Sequence, residues 1–312
     1  MSAGSGSRAI IAALLANAGI AAAKFVGFLI TGSSSMLAES VHSVADTSNQ
    51  GLLLLGKKRA ARAATAAHPF GYGRDRYFYS FVVALLLFTL GSVFSLYEGI
   101  HKITHSEPLT SPIVAIGILV VAIGLESFSF RTAIVESRPL KGTGTWWQFI
   151  RRSKEPELPV VLLEDLGALI GLVLALLGVG LAMITGDPVW DAIGTIGIGV
   201  LLGVIAAILI VEMKSLLIGE GAAPPTLEEI CSALTGGEVQ RVIHIKTQYL
   251  SPDELLVAAK IELSPGLLVE GVAQAIDAAE ARVRSAVPAA RVMYLEPDLY
   301  RRSAGPVDVE RP

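Results

Sequence analysis

The sequence predicts an α-helical membrane protein: a six-helix transmembrane bundle followed by a small α+β domain. Three observations carry this. The 312 residues are 52% hydrophobic and 17% charged, with mean hydropathy +0.59, which is too apolar for an ordinary soluble domain. Up to Gly219 the chain holds six apolar runs, each about 20 residues or longer, the length that crosses the hydrocarbon layer. After Gly219 the pattern changes to alternating strands and amphipathic helices. The net charge of −3 gives no basis for a nucleic-acid partner. A single cysteine, Cys231, excludes an intramolecular disulfide or a cysteine-cluster metal site. No organic cofactor is expected.

Residues 1–7 form a short tail, and the transmembrane domain spans 8–219. The first span, 8–31, is too long for a signal-peptide core and shows no clear cleavage site, so it is read as a retained helix. Its polar exceptions, Asn17 and Lys24, share a face and are expected to act as packing and capping partners. A Gly32–Ser35 turn leads to the second span, 36–56. A basic loop follows with Lys57, Lys58, Arg59, Arg62, Arg74 and Arg76. The third span is 77–100 and the fourth 111–130, where Glu126 lies in an apolar run. Residues 131–158 are polar and basic, and Trp146 and Trp147 suit a membrane–water interface. Pro159 fits the first turn of the fifth span, 159–184, and the turn TGDPVWD leads to the sixth, 188–216. Asp191 is expected at the outer rim of that last helix.

Lys and Arg set the orientation. The second–third and fourth–fifth loops are strongly basic, whereas the other three links carry one lysine, Lys102. The positive-inside rule then puts both termini in the cytoplasm, as six spans require. With no transit peptide visible, a bacterial cell membrane is expected.

Pro224–Pro225 marks a linker. Residues 226–235 read as a helix. In 241–248, Ile243 and Ile245 alternate with His244 and Lys246. Ser251-Pro252-Asp253 reads as a hairpin turn, and Val257, Ala259, Ile261 and Leu263 alternate with Ala258, Lys260 and Glu262. A helix over 267–286 and a strand over 291–296 complete the order αββαβ, which suggests a ferredoxin-like domain over 220–300. Residues 301–312 read as a disordered tail.

The chemistry is concentrated in the second span. Met36–Gln50 carries Glu39, His42, Asp46 and Asn49 at spacings of 3, 4 and 3, so a helix presents all four on one face. Ionisable groups at membrane depth are costly and tend to face a cavity that serves transport. A His and a carboxylate four apart can hold a divalent metal between them; the alternative is a polar patch that only joins helices. In the fifth span Glu164 and Asp165 are adjacent and point about 100° apart, so one would complete a site while the other relays protons or pairs elsewhere. Gly167/Gly171 and Gly199/Gly203 allow close helix approach, which would bring Asp165 near His42 and Asp46. Glu126 would pair with Lys24 or take part in proton movement.

The run from Asn17 through Lys24 to ITGSSSMLAESVHSVADTSNQ, with HPFGYGRDR at 68–76, resembles the cation diffusion facilitator family. The stretch PVVLLEDLGALIGLVLALLGVGLAMITGDPVWD is similar, more narrowly, to its zinc-transporter-9-like branch, solute carrier family 30. The resemblance covers residues 8 to 298 and implies six helices, a cytoplasmic ferredoxin-like domain and a homodimer formed through that domain. It implies transport ligands in pairs four apart on the second and fifth helices. His42 and Asp46 match the first pair and Asp165 the second member of the other, while Val161 stands at its first. Glu164, Glu39, Asn49 or a water would supply the missing ligand, Glu164 first. Of the family's loop site only His68 remains, with Tyr72 beside it, and it is read as structural. Of its C-terminal metal sites His244 and Glu296 remain, with Lys260 and Tyr294 at ligand positions, so that domain is read as a dimerisation element.

The resemblance implies metal/proton antiport, with Zn²⁺ as the leading transported substrate because of the histidine and the branch. Mn²⁺, Fe²⁺, Co²⁺ and Ni²⁺ are alternatives. The partners are then the metal, protons and the bilayer. Two rivals stand. An intramembrane metalloenzyme lacks the H-E-x-x-H pattern, and the chain is read as no enzyme. A transport-deficient scaffold is kept open by Val161.

Overall fold

A computed structural model describes residues 18–105 and 110–301. The predicted tails at 1–7 and 301–312 and the start of the first span lie outside these residues, apart from residues 18–31 and 301. The chain divides into two compact units, Met1–Leu217 and Ile218–Pro312.

In the first unit α1, Ala18–Thr31, ends at Gly32. The φ of 66° there is one that a glycine adopts without strain, and its N–H closes the helix on the Phe28 carbonyl. α2, Ser34–Ala60, starts under the Ser33 hydroxyl, which accepts from the Met36 N–H, and ends on Lys57, Lys58 and Arg59, where the helix dipole favours cations. α3, Asp75–Thr104, is continuous but has π-helical turns over Leu87–Val93. α4 is Pro112–Lys141. α5, Trp146–Arg152, is one short segment held by a Thr145/Gln148 capping box. α6 is Glu157–Thr185 and α7 is Val189–Ile218.

Among the described residues α3, α4, α6 and α7 are long and apolar enough to cross a membrane. α2 has the length, at 27 residues, but its polar face removes it from a purely apolar criterion. α4 extends past the expected end at 130 to Lys141, through Pro139, and closes on Arg138 and Lys141 ahead of Gly142 at φ 56°, the basic last turn and glycine that suit a helix C-terminus.

The helices alternate in direction. The N-terminus of α7 meets that of α2 through Asp191, and Arg76 at the start of α3 grips Glu157 at the start of α6 with two bonds, Nε–Oε1 at 2.6 Å and a terminal nitrogen to Oε2 at 2.8 Å. The basic ends of α2, α3 and α4 therefore lie on one side of this unit. α3 and α7 pack almost backbone to backbone. A Cβ on Gly199 would lie 2.9 Å from the Leu96 N, and one on Gly99 3.0 Å from the Ile196 N. Ser92, in the π segment, donates to the Gly199 carbonyl at 2.8 Å, which gives the irregular turn a fixed partner.

The second unit has α8, Pro224–Leu234, β1, Val239–Ser251, β2, Glu254–Leu263, α9, Val269–Ala286, and β3, Val292–Pro297. The sheet order is β1-β2-β3, with β1 antiparallel and β3 parallel to β2. Ile230, Leu234, Val257, Ile261, Ala279 and Val283 form its core. On β2 the expected alternation holds: Val257 and Ile261 are buried while Lys260 is half-buried. On β1 it does not hold as expected. The register shifts between Val242 and His244, so Val242 and Ile245, not Ile243 and Ile245, pack on the core. One extra residue in a strand reverses the inside–outside phase. The protein is thus a helical membrane domain with a ferredoxin-like C-terminal domain.

Candidate metal centre

The site is built on the polar face of α2. Glu39, His42 and Asn49 are buried, and Asp46 is 13% exposed. His42 Nδ1 lies 3.5 Å from Asp46 Oδ1, one turn on, a close approach but not a hydrogen bond. α6 runs antiparallel against this face. Gly171 sits opposite Glu39, where a Cβ would come 2.6 Å from Glu39 Oε1, and Glu164 sits opposite Asn49, whose Nδ2 donates to Glu164 Oε1 at 3.1 Å. The carboxyls of Asp46 and Glu164 face each other across the two helices, each within the electrostatic field of the other. Two acceptors that meet with no donor between them need a shared proton or a cation.

Six buried polar atoms on this face have no hydrogen-bond partner among the described residues: Glu39 Oε1, His42 Nδ1 and Nε2, Asp46 Oδ1, Asn49 Oδ1 and Glu164 Oε2. Buried polar groups are almost always bonded, so a row of exceptions calls for a function. No three His, Cys, Asp or Glu side chains are gathered at metal-holding distance among the described residues. The donors form pairs along α2 rather than one closed cage.

The two adjacent acids of α6 part company. Glu164 turns to α2, whereas Asp165 turns to α4, where Ser129 Oγ donates to its Oδ2 at 2.9 Å. Val161, one turn earlier, packs with Phe130, Ile134 and Leu158 and presents no donor. Gly167 faces Ile205 and Leu202 of α7, and Gly199 and Gly203 face α3. Of the two glycine pairs only Gly171 opens room at the α2 face.

Lys24 is fully buried, and its ammonium donates to Glu39 Oε2 at 3.0 Å and to Ser43 Oγ at 2.8 Å. Glu126 is half-buried on α4 and within electrostatic range of Lys24, but the lysine's direct partner is Glu39. Asn17 lies outside the described residues. His68 is exposed in a self-bonded loop, stacked on Tyr72 with centroids 4.5 Å apart, its N–H on the Thr65 carbonyl. His244 is exposed and lines a pocket of about 440 Å³ with Lys260, Tyr294 and Glu296. There Lys260 bonds Glu296 at 3.1 Å and Asp298 at 3.0 Å. These bonds hold the lysine's pKa above, and that of Asp298 below, their ordinary ranges.

Asp191 lies in the first turn of α7, at the end of the helix where it was expected, and it is fully buried there. Its carboxylate accepts from Ser33 Oγ, Ser34 N, Ser34 Oγ and Ser35 N. The serine run in the turn before α2 was the available signal: three consecutive hydroxyls at a helix start suit an anionic cap.

The match to the cation efflux transmembrane domain covers residues 10–218. The mouse mitochondrial proton-coupled zinc antiporter SLC30A9 is 36% identical over 71% of this chain and 39% of its own length. Metal tolerance protein C4 of Arabidopsis thaliana is 30% identical over 84% of this chain and 58% of its own. The magnetosome protein MamB of Magnetospirillum gryphiswaldense is 24% identical over 86% of this chain and 85% of its own. The chain thus spans about two fifths of the animal antiporter it matches. A domain match over two thirds of the sequence, with the acid-bearing helices inside it, makes this chain a member of the cation diffusion facilitator family, in its zinc-transporter-9-like branch.

Proposed function

We propose that this chain exports divalent metal ions from the cytoplasm in exchange for protons, with Zn²⁺ as the leading cargo. His42, Asp46 and Glu164 take the ion first, and Asp165 stands behind them as a ligand or proton acceptor. The observation that carries the reading is the row of six unpartnered buried polar atoms between α2 and α6. An imidazole among carboxylates suits zinc and its first-row neighbours. These groups bind metal only after losing protons, so metal and protons compete for the same atoms, and that competition is the basis of exchange. The animal relatives, named as proton-coupled zinc antiporters, support both ions. Mn²⁺, Fe²⁺, Co²⁺ and Ni²⁺ remain alternative cargoes.

The basic ends of the helices face the cytoplasm in this reading, and the C-terminal domain joins two copies. The two histidines outside the bundle, His68 and His244, hold no cargo. A second reading, a membrane scaffold without transport, is favoured by Val161 and by the lack of a three-donor cluster among the described residues.

Metal-driven proton flux in proteoliposomes separates them. The transporter reading expects flux with zinc that Asp46→Ala and Glu164→Ala abolish. If the native chain moves none of Zn²⁺, Mn²⁺, Fe²⁺ or Co²⁺, the scaffold reading replaces it.

A further inference from the structure

The orphaned atoms do not stop at the His42–Asp46 pair. They continue one helical turn toward the start of α2, to Glu39, which is fully buried. Three residues of helix separate Glu39 from His42, a step of about 4.5 Å along the axis. One oxygen of Glu39 holds the Lys24 ammonium, and the other, Oε1, has no hydrogen-bond partner. Gly171 opposite has no side chain, and any Cβ there would collide with that oxygen. The position is therefore already a cation site, filled by a tethered cation. Lys24 also has space behind it: a crevice of about 580 Å³ runs between α1 and α4, with Ile20, Ala23, Val121 and Leu125 on its walls. The apolar crevice can take the flexible stem of the lysine, while Ser43 Oγ, already bonded at 2.8 Å, keeps the ammonium a partner as it leaves the carboxylate.

We propose that Glu39 is a second divalent-cation station, on the side of His42–Asp46 toward the α1–α2 turn, and that Lys24 holds it closed until a cation displaces the ammonium. The proposal rests on the reading of His42 and Asp46 as the cargo site. A cation stepping from Asp46 past His42 to Glu39 keeps contact with an unpartnered donor at each turn of α2. The divalent ion takes the carboxylate as the ammonium falls back on Ser43, so Glu39 is not left buried and unpaired, which would be costly. The ammonium returns when the ion leaves and stops the station from acting as a trap.

Equilibrium zinc binding by the purified full-length chain in detergent, with zinc uptake into proteoliposomes, tests this. Lys24→Gln is expected to bind one zinc per chain more than the Lys24→Gln/Glu39→Gln double variant, a difference that cancels ions held elsewhere. Glu39→Gln is expected to keep the native binding at His42–Asp46 while uptake falls at least about tenfold. Equal zinc in the two Lys24 variants overturns the proposal. If Lys24→Gln does not fold, Glu39→Gln decides alone, and native uptake by that variant overturns it. Asp46→Ala reads the underlying site separately: unchanged binding and uptake there would remove the cargo-site reading, whatever the Lys24 variants show.

Discussion

Two groups of buried acids lie along α2 and are treated in opposite ways. At its start, Asp191 reaches over from α7 and receives hydroxyl and backbone N–H donors from Ser33, Ser34 and Ser35. The Ser34 and Ser35 hydroxyls are bonded in turn to Thr195. Further along, Asp46 meets Glu164, acid against acid, and six polar atoms between Glu39 and Glu164 have no partner. Both groups are buried carboxylates in one bundle. A saturated cluster holds helices together; an unsaturated one is poised to bind. Burial alone says little about role, and the count of unmet donors and acceptors separates the two.

The largest expected effect breaks the comparison on the functional side. Asp46→Ala should cut zinc-driven proton flux by at least about a hundredfold, since metal binding loses a charged ligand. Asp46→Asn should also raise the thermal midpoint of the purified protein, because it relieves the meeting of two acids and gives Glu164 a donor, a gain of about 1 kcal/mol. A lower midpoint would show that this cluster is structural after all.

The mirror experiment is Asp191→Ala. It strips the donors at the start of α2 of their acceptor and should cost about 3 kcal/mol or more. Thermal unfolding in detergent measures it, and Asp191→Asn should recover part of the loss. The remaining folded protein should still bind zinc with native stoichiometry. Glycines sharpen the same contrast at smaller scale. Gly199→Ala meets the Leu96 backbone at 2.9 Å and should cost about 1–3 kcal/mol by overpacking. Gly171→Ala meets only the tip of Glu39, so its stability loss should be smaller and its effect on uptake larger.

The smallest effect concerns Lys260 and Asp298. The lysine's pKa is raised, so the ion pair contributes below the ordinary lysine value and is lost as pH rises through the raised one. That of Asp298 is lowered, so its contribution is present above the ordinary carboxylate value and lost as pH falls through the lowered one. The difference in thermal midpoint between native protein and Lys260→Met should therefore be small and flat between about pH 5 and about pH 9. A slope inside that window would mean another group titrates with the pair.

Much of the fold was legible because it follows from local periodicity and hydropathy. The apolar runs at 77–100, 159–184 and 188–216 became α3, α6 and α7 with ends shifted by a few residues. The 3, 4, 3 spacing set Glu39, His42, Asp46 and Asn49 on one face because helix geometry is fixed at 3.6 residues per turn. Ile243 escaped this logic, since a bulge depends on the partner strand. The extension of α4 to Lys141 escaped it because a helix need not end where the apolar run ends.

The sequence by itself determined the class of the protein, the order of its elements and which α2 residues share a face, all of which depend on neighbours within a turn or two. Only the tertiary structure decided that Glu164 turns to Asp46 while Asp165 turns to Ser129, that Lys24 rests on Glu39, and that Asp191 is buried under three serines. Those pairings join residues as far as 158 positions apart. They depend on the rotation and depth at which helices meet, and these are set by packing at glycines such as Gly171 and Gly199 rather than by any local pattern.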